Sequence, residues 1–156
     1  YVAGRLRGRF TDVFAPYAAE AAKRGIPWTD FITLASLIER EAAKYDKHLV
    51  SGILWNRLHT GMGLQVDATL QYIRGEKGNW WPVPTPADKK LESPFNTYKH
   101  VGLPPHPIAN PSLESIDAAL NPDKTDCIFY LHDGNGTIHC SKTYAGHVRN
   151  VNTYLK

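Results

Sequence analysis

Cysteine and long apolar runs are scarce in this sequence, and each absence excludes a class of protein. Only two of the 156 residues are cysteines, Cys127 and Cys140, so a disulfide framework does not hold the fold together. No apolar run in this sequence is long enough to span a bilayer, and its pattern does not lead us to expect a signal peptide within it. Because the chain opens on Tyr1 and not on Met, we expect a domain cut from a longer protein, with an anchor or a further domain upstream.

No excess of charge of one sign is large enough to indicate a polyelectrolyte-binding protein. The chain has 18 Lys and Arg residues against 15 Asp and Glu residues, which gives a formal net charge of +3. These charges are scattered, with no run of like sign that could form a tail or a basic stripe. The mild excess is compatible with an anionic polymer as a partner, but nucleic-acid binding has little support.

Familiar cofactor, metal and nucleophile motifs are missing as well. The chain has no P-loop, no dinucleotide-binding glycine pattern, no Cys-x-x-Cys and no His-Glu-x-x-His. Its seven histidines show no ligand spacing, and Ser36 and Ser51 lie on predicted helices without a nucleophile elbow. We therefore expect no metal site, no cofactor and no Ser/His/Asp catalysis.

The patterns that are present predict a single α+β domain, rich in helices, with a small β-hairpin near its end. With 42% hydrophobic residues, the chain can bury one sizeable core. The predicted helices cover 1–24 (interrupted or kinked near Pro16), 31–45, 47–60, 68–74 with Asp67 as its cap, about 110–120, and a last helix capped by Thr143.

The hairpin signal is strong and predicts the state of the two cysteines. Strands over 127–131 and 137–141 flank the sequence DGNG at 133–136, which favours a two-residue turn. Such a turn places Cys140 opposite Phe129 or Leu131 and not opposite Cys127. Cross-strand disulfides need nearly opposed Cβ atoms, so we expect free thiols.

The helix predicted over 31–45 carries a glutamate on its apolar face. At helical spacing that face is formed by Phe31, Leu34, Ala35, Ile38, Ala42 and Tyr45. Glu41 falls within this face, whereas Glu39 lies at its edge. Burial raises the pKa of a carboxyl group and suits a general acid. The alternative is a structural Glu41 neutralised by a partner such as Arg57, and on the helix alone the structural role has the better support.

A proline-rich stretch over 75–111 interrupts the helical pattern. It contains too many aromatic side chains for a disordered linker, so we expect a folded wall over one face of the helices. Trp80 and Trp81 within it are equally compatible with a lid on the core and with a platform for a sugar ring.

Amide and hydroxyl side chains in the predicted loops suit a carbohydrate ligand. Sugars present apolar ring faces and many hydroxyl groups, so proteins bind them through aromatic stacking and polar side chains. The candidates are Gln65, Thr69, Asn96, Thr97 and Tyr98. For Gln65 and Asn96 the alternative is backbone capping in loops, and for Asp67 helix capping is the favoured role.

Several segments in a fixed order resemble a known family. They are LASLIEREA at 34–42, NRL at 56–58, GMGLQVDAT at 61–69, SPFNTY at 93–98, GLPPHPI at 102–108 and NP at 110–111. Together they resemble the endolytic murein transglycosylases, the YceG-like proteins, from about residue 29 to the end of the chain.

The resemblance implies a lysozyme-like catalytic helix and a lyase that cuts peptidoglycan strands internally, leaving anhydromuramic acid ends. Glu41 matches the acid of the Ile-x-x-Glu motif found in lytic transglycosylases, with Ala42 in the place of its small residue. The substrate-binding residues that the resemblance implies are Gln65, Asp67, Thr69, Asn96 and Tyr98. No cofactor is implied.

The resemblance also implies where the protein acts and with what. We expect residues 1–156 to form the catalytic domain, separate from the membrane helix and LysM-like domain that usually precede it in the family. We expect the full-length protein at the periplasmic face of the inner membrane, this fragment itself being soluble. Its partners are peptidoglycan strands and cell-wall synthesis enzymes, with no nucleic acid. The rival functions are a non-catalytic glycan-binding module and a two-carboxylate hydrolase of the lysozyme type.

Overall fold

The structure, a computed structural model, describes residues 2–43 and 45–155. Within these ranges the chain forms one α+β domain, as predicted, with six α-helices and a two-stranded antiparallel sheet. The elements in chain order are α1 (Val2–Lys23), α2 (Trp28–Glu41), α3 (Lys47–His59), α4 (Asp67–Arg74), α5 (Leu113–Leu120), β1 (Phe129–His132), β2 (Ile138–Ser141) and α6 (Tyr144–Tyr154). None of the helices in the described part of the chain is long and apolar enough to cross a bilayer.

The first helix runs through its proline without a break, which corrects the predicted interruption. Pro16 lies inside α1 and is exposed, so water can bind the carbonyl that loses its helical partner. The predicted stop at Gly25 is confirmed, because α1 ends at Lys23 and Gly25 has a φ of 71°. Only glycine adopts that backbone conformation at no steric cost.

The core is built around α2. Phe31, Leu34 and Ile38 are fully buried, and α2 packs against α3, α4 and α5. Burial of each such side chain stabilises the fold by about 1.5–3 kcal/mol. This packing fixes the axis of α2 and therefore the position of its last residue, Glu41.

The end of α2 lies earlier than the predicted end at residue 45. Ala42 has extended backbone angles (φ −76°, ψ 145°) and its N–H still bonds the carbonyl of Ile38. Tyr45, expected on the apolar face, is 89% exposed. The spacing of Ala42 and Tyr45 continues the helical period, but a period does not show where the chain leaves the helix.

The proline-rich stretch folds over the helices, with one turn of 3₁₀ helix at Asp88–Lys90. Asp88 Oδ2 accepts hydrogen bonds from the N–H and the hydroxyl of Thr85, at 2.6 and 2.8 Å. Further along, the N–H of Ile108 donates to Oγ of Ser36 on α2 at 3.1 Å. The bonds from the N–H groups of Thr85 and Ile108 satisfy backbone donors that have no partner in a helix or a strand.

The hairpin differs from the prediction by one residue, and the cysteines are bonded. Phe129 pairs with Ser141 and Tyr130 with Cys140, because the turn has three residues, with Gly136 at a φ of 77° closing a bulge. Cys140 is thus opposite Tyr130, and not opposite Phe129 or Leu131. It forms a disulfide with Cys127 across a Cα–Cα distance of 5.8 Å, so the expectation of free thiols was wrong.

Candidate active site

A cleft of about 370 Å³ opens at the end of α2. Its walls come from the start of α4, the proline-rich stretch, the hairpin and α6. The side chains that line it are Glu41, Arg57, Gln65, Asp67, Lys89, Tyr98, Phe129, Tyr130, Leu131, His132, Tyr144 and His147. Four of the six side chains predicted for the site therefore meet here: Glu41, Gln65, Asp67 and Tyr98.

Glu41 is held by one strong and one weak hydrogen bond. The hydroxyl of Tyr130 on β1 donates to Oε2 at 2.7 Å. The N–H of Ala68 in the first turn of α4 lies 3.5 Å from Oε1. Oε1 is thus the less engaged oxygen, and it is the one available for exchange of a proton with a ligand.

The environment of Glu41 favours its protonated form. Burial raises the pKa of its carboxyl group, and the negative charge of Asp67 adds to this effect. The hydrogen bond from Tyr130 acts in the opposite direction because it stabilises the carboxylate, but the pKa remains raised. A raised pKa is what a carboxyl group needs to act as a general acid near neutral pH.

Glu39 has the opposite character. Burial alone would raise its pKa, but hydrogen bonds from Ser112 and Ser115, with the charge of Lys47, lower it to about 2. The N–H and hydroxyl of Ser112 donate at 3.0 and 2.6 Å, and the hydroxyl of Ser115 donates at 2.5 Å. Glu39 therefore fastens α2 to the start of α5 as a carboxylate and does not line the cleft.

Asp67 and Tyr98 form a pair at the cleft wall. The Tyr98 hydroxyl donates to Asp67 Oδ1 at 2.5 Å, and burial together with that bond raises the pKa of Tyr98. Asp67 was expected to cap α4, but Val66 is the N-cap and Asp67 is the first helical residue. Its exposed carboxylate is thus directed to Tyr98 and the cleft.

Gln65 reaches the cleft through an unusual backbone conformation. Its φ is 51°, a left-handed value that residues other than glycine rarely adopt. Its N–H bonds the carbonyl of Thr97 at 3.1 Å, which holds the turn in place, and its side chain is exposed. Strained backbone of this kind is concentrated at functional sites.

Thr69 and Asn96 were expected to face the ligand, but both are fully buried. Thr69 Oγ1 donates to the carbonyl of Val66 at 2.7 Å. The Asn96 amide donates to the carbonyl of Leu91 at 2.8 Å, and its oxygen accepts from the N–H of Tyr98 at 3.0 Å. These two side chains shape the loops that carry Gln65 and Tyr98, and they do not line the cleft.

Arg57 has a structural role that differs from the expected one. Its Nε donates to the carbonyl of Ile128 at 2.7 Å, and its Nη1 donates to the carbonyl of Leu64. It therefore ties β1 to the loop before Gln65. Both Arg57 and Glu41 are described, and no ion pair joins them, so the salt bridge considered as an alternative for Glu41 is not formed.

A larger cleft of about 720 Å³ lies elsewhere, between the end of α1, α3 and residues 122–126. Its acidic side chains are Asp123 and Asp126. Asp126 is highly exposed and pairs with Lys142 at 3.2 Å, so it lacks the burial that Glu41 has. The smaller cleft at Glu41 is therefore the better candidate for acid catalysis.

Comparison with known proteins identifies the family. The model of the YceG-like family matches residues 2–153. The chain belongs to the YceG-like family.

Two relatives and one solved structure of the family show how far the likeness extends. An endolytic murein transglycosylase of Bacillus subtilis is 39% identical over 140 residues, covering 89% of this chain and 38% of its own length. One of Streptococcus pneumoniae is 33% identical, covering 88% and 26%. The crystal structure of a yceG-like protein of Listeria monocytogenes is 38% identical, with a TM-score of 0.83 over 90% of this chain and 46% of that one. The chain thus spans less than half the length of these relatives.

Within this YceG-like domain, sequence reasoning missed the residues that come from the hairpin. Tyr130 touches Glu41, and His132 Nε2 lies 2.7 Å from Asp46 Oδ2, which joins β1 to the start of α3. Alternation of side chains along the short strand β1 could have indicated that Tyr130 and His132 share a face. The one-residue error in the predicted hairpin register obscured which residues of the two strands lie opposite each other. Among the described residues no cluster of three or more His, Cys, Asp or Glu side chains could hold a metal ion.

Proposed function

We propose that this domain cleaves peptidoglycan strands internally as a lytic transglycosylase, breaking the bond between N-acetylmuramic acid and N-acetylglucosamine without water. The observation that carries the proposal is Glu41, a carboxyl group of raised pKa that lines a polar cleft. The relatives from Bacillus subtilis and Streptococcus pneumoniae, which are named endolytic murein transglycosylases, support it.

One carboxyl group is sufficient for the proposed reaction. Glu41, protonated at Oε1, donates its proton to the glycosidic oxygen as the C1–O bond breaks, and the muramic ring becomes oxocarbenium-like. The ionised Glu41 then accepts the proton of the C6 hydroxyl as its oxygen bonds C1 and closes the anhydro ring. Glu41 ends protonated, so no water and no cofactor are consumed. A hydrolase would need a second carboxylate to activate water.

The other cleft residues have supporting parts in this proposal. Gln65, Asp67 and Tyr98 orient the sugar through hydrogen bonds, while the interior side chains of Thr69 and Asn96 hold the loops that present them. Tyr130 keeps the carboxyl group of Glu41 in one orientation.

The two rival functions have less support from the geometry. A two-carboxylate hydrolase would recruit Asp67 or Glu39, but Asp67 already accepts a 2.5 Å hydrogen bond from Tyr98 and Glu39 is bound to α5. Binding of a glycan without catalysis would not require a carboxyl group of raised pKa in the cleft.

The proposed substrate determines the compartment. Peptidoglycan lies outside the cytoplasmic membrane, so the domain acts in the cell envelope, at the outer face of the inner membrane in the full-length protein. The Cys127–Cys140 disulfide supports this, because such bonds persist in oxidising compartments. Cell-wall synthesis enzymes are the proposed protein partners.

Glu41→Gln tests the assignment, because glutamine is nearly isosteric but holds no exchangeable acid proton. We expect the variant to keep its circular dichroism spectrum and to lose all release of anhydro-ended fragments from purified glycan strands, measured by mass spectrometry. Full activity of this variant would end the transglycosylase proposal. Products with ordinary reducing ends from the wild-type domain would instead indicate a hydrolase.

A further inference from the structure

A second groove, of about 610 Å³, is not used by the reaction described above. It is lined by Tyr72, Gly75, Trp80, Trp81 and Ile108, and we call it the aromatic groove. Trp80 is 63% exposed, and Trp81 and Tyr72 are each 37% exposed. A lid on the core would bury these rings, so their exposure favours contact with a ligand.

The rings of the aromatic groove are held in place by neighbouring side chains. The Tyr72 ring lies 5.1 Å from that of Phe95, and the guanidinium of Arg40 stacks over Trp81 at 3.7 Å. Gly75 allows the chain to fold back closely, since a Cβ there would lie 2.6 Å from the carbonyl oxygen of Trp80. The surface is thus formed before any ligand arrives, which reduces the entropy lost on binding.

Two connections place the aromatic groove near the Glu41 cleft. Asp67 lines the Glu41 cleft and Tyr72 lines the aromatic groove, and these two residues of α4 are separated by about 7.5 Å along the helix axis. Arg40, which covers Trp81, directly precedes Glu41 on α2. A polymer seated at Glu41 can therefore continue into the aromatic groove.

We infer that the aromatic groove binds a further sugar unit of the strand that is cut at Glu41, with Arg40 recognising the carboxylate of a muramic acid unit. This rests on the proposed function. Sugar rings stack their apolar faces on aromatic side chains, and the exposed Trp80 and Trp81 offer such faces. A guanidinium stacked on a ring keeps its N–H edge free for a carboxylate, so Arg40 can serve both Trp81 and the ligand.

Calorimetric titration of the Glu41→Gln protein, which cannot consume its ligand, tests the inference. Two probes are used: glycan strands freed of peptides, which carry muramic carboxylates, and N-acetylglucosamine hexamers, which carry none. Adding Trp80→Ala or Trp81→Ala should weaken binding of both probes about fivefold to tenfold. Adding Arg40→Gln should weaken binding of the strands alone. Phe10→Ala, at an α1 ring of similar exposure (42%), should change neither.

The outcomes separate this inference from the proposed reaction. Unchanged binding in both tryptophan variants, with the wild-type domain still releasing anhydro ends, would overturn the aromatic groove as a sugar site and leave the reaction standing. Weakened binding in those variants, with no anhydro ends from the wild type, would support the sugar site and overturn the reaction. Equal weakening by Phe10→Ala would trace the effect to stability and reject the inference.

Discussion

Replacing Tyr130 by phenylalanine tests how the hydrogen bond from Tyr130 affects the pKa of Glu41. The hydroxyl of Tyr130 donates to Oε2 of Glu41 at 2.7 Å, and a hydrogen bond of this kind favours the ionised carboxylate. The variant keeps the ring and the burial that raises the pKa of Glu41, but removes this opposing contribution. The pKa of Glu41 should therefore rise further.

The size of the change follows from the strength of the bond. A hydrogen bond to a charged group contributes about 1.5–3 kcal/mol, and one pKa unit corresponds to about 1.4 kcal/mol. Because water replaces part of the lost bond, we expect a displacement near the lower end, about one pH unit. Glu41 must start the reaction protonated, so the alkaline limb of kcat/KM should move to higher pH.

The assay is release of anhydro-ended products from purified strands over a pH series, with Tyr144→Phe as the control. Tyr144 lines the same cleft and is 67% exposed. An alkaline limb that stays in place or moves to lower pH in Tyr130→Phe would refute the reasoning. An equal displacement in both variants would show that any lost hydroxyl has this effect.

Two further predictions separate structural from ligand-facing polar groups. Glu39→Gln should still release anhydro ends but melt at lower temperature. Because the pKa of Glu39 is lowered to about 2, its contribution to stability is present above the unfolded value of about 4.3 and is lost as pH falls toward 2. Thermal unfolding at several pH values should show the difference from wild type closing over that window, and a difference that grows there would contradict the prediction. Tyr98→Phe should slow turnover with little change in Tm. Asn96→Ala should instead lower Tm by several degrees, because it leaves buried backbone groups without hydrogen-bond partners. Calorimetry and the product assay, run on both variants, would contradict the prediction if they showed the reverse pattern.

The sequence predicted the position of Glu41 because helical spacing is a local property. Phe31, Leu34 and Ile38 define a buried face whether or not the rest of the chain is known, and Glu41 follows at the same spacing. The contrast with Glu39 followed from the same geometry. The surroundings of Glu41 could not be predicted in this way, because Tyr130 lies 89 residues away in the chain.

The positions of side chains in irregular segments were harder to predict, because these segments have no repeating spacing of apolar residues. The direction of a polar side chain in a loop depends on which backbone groups need partners, so Asn96 and Thr69 could not be distinguished from Tyr98 and Gln65. The hairpin shows the same limit: a three-residue turn in place of a two-residue turn displaced every pairing by one. The disulfide was missed for a different reason, because Cys127 lies before β1 and is not held in the register of the paired strands.

The early end of α2 gives Glu41 an electrostatic position between two helix ends. As the last residue of α2, it lies beside the negative end of that helix dipole, which disfavours the carboxylate. Through the N–H of Ala68 it also lies against the positive end of α4, which favours the carboxylate. Each effect amounts to about 0.3–1 kcal/mol, and they oppose each other. The two helix ends therefore largely cancel at Glu41, and the direction of its pKa is left to burial and to the charge of Asp67, which both raise it.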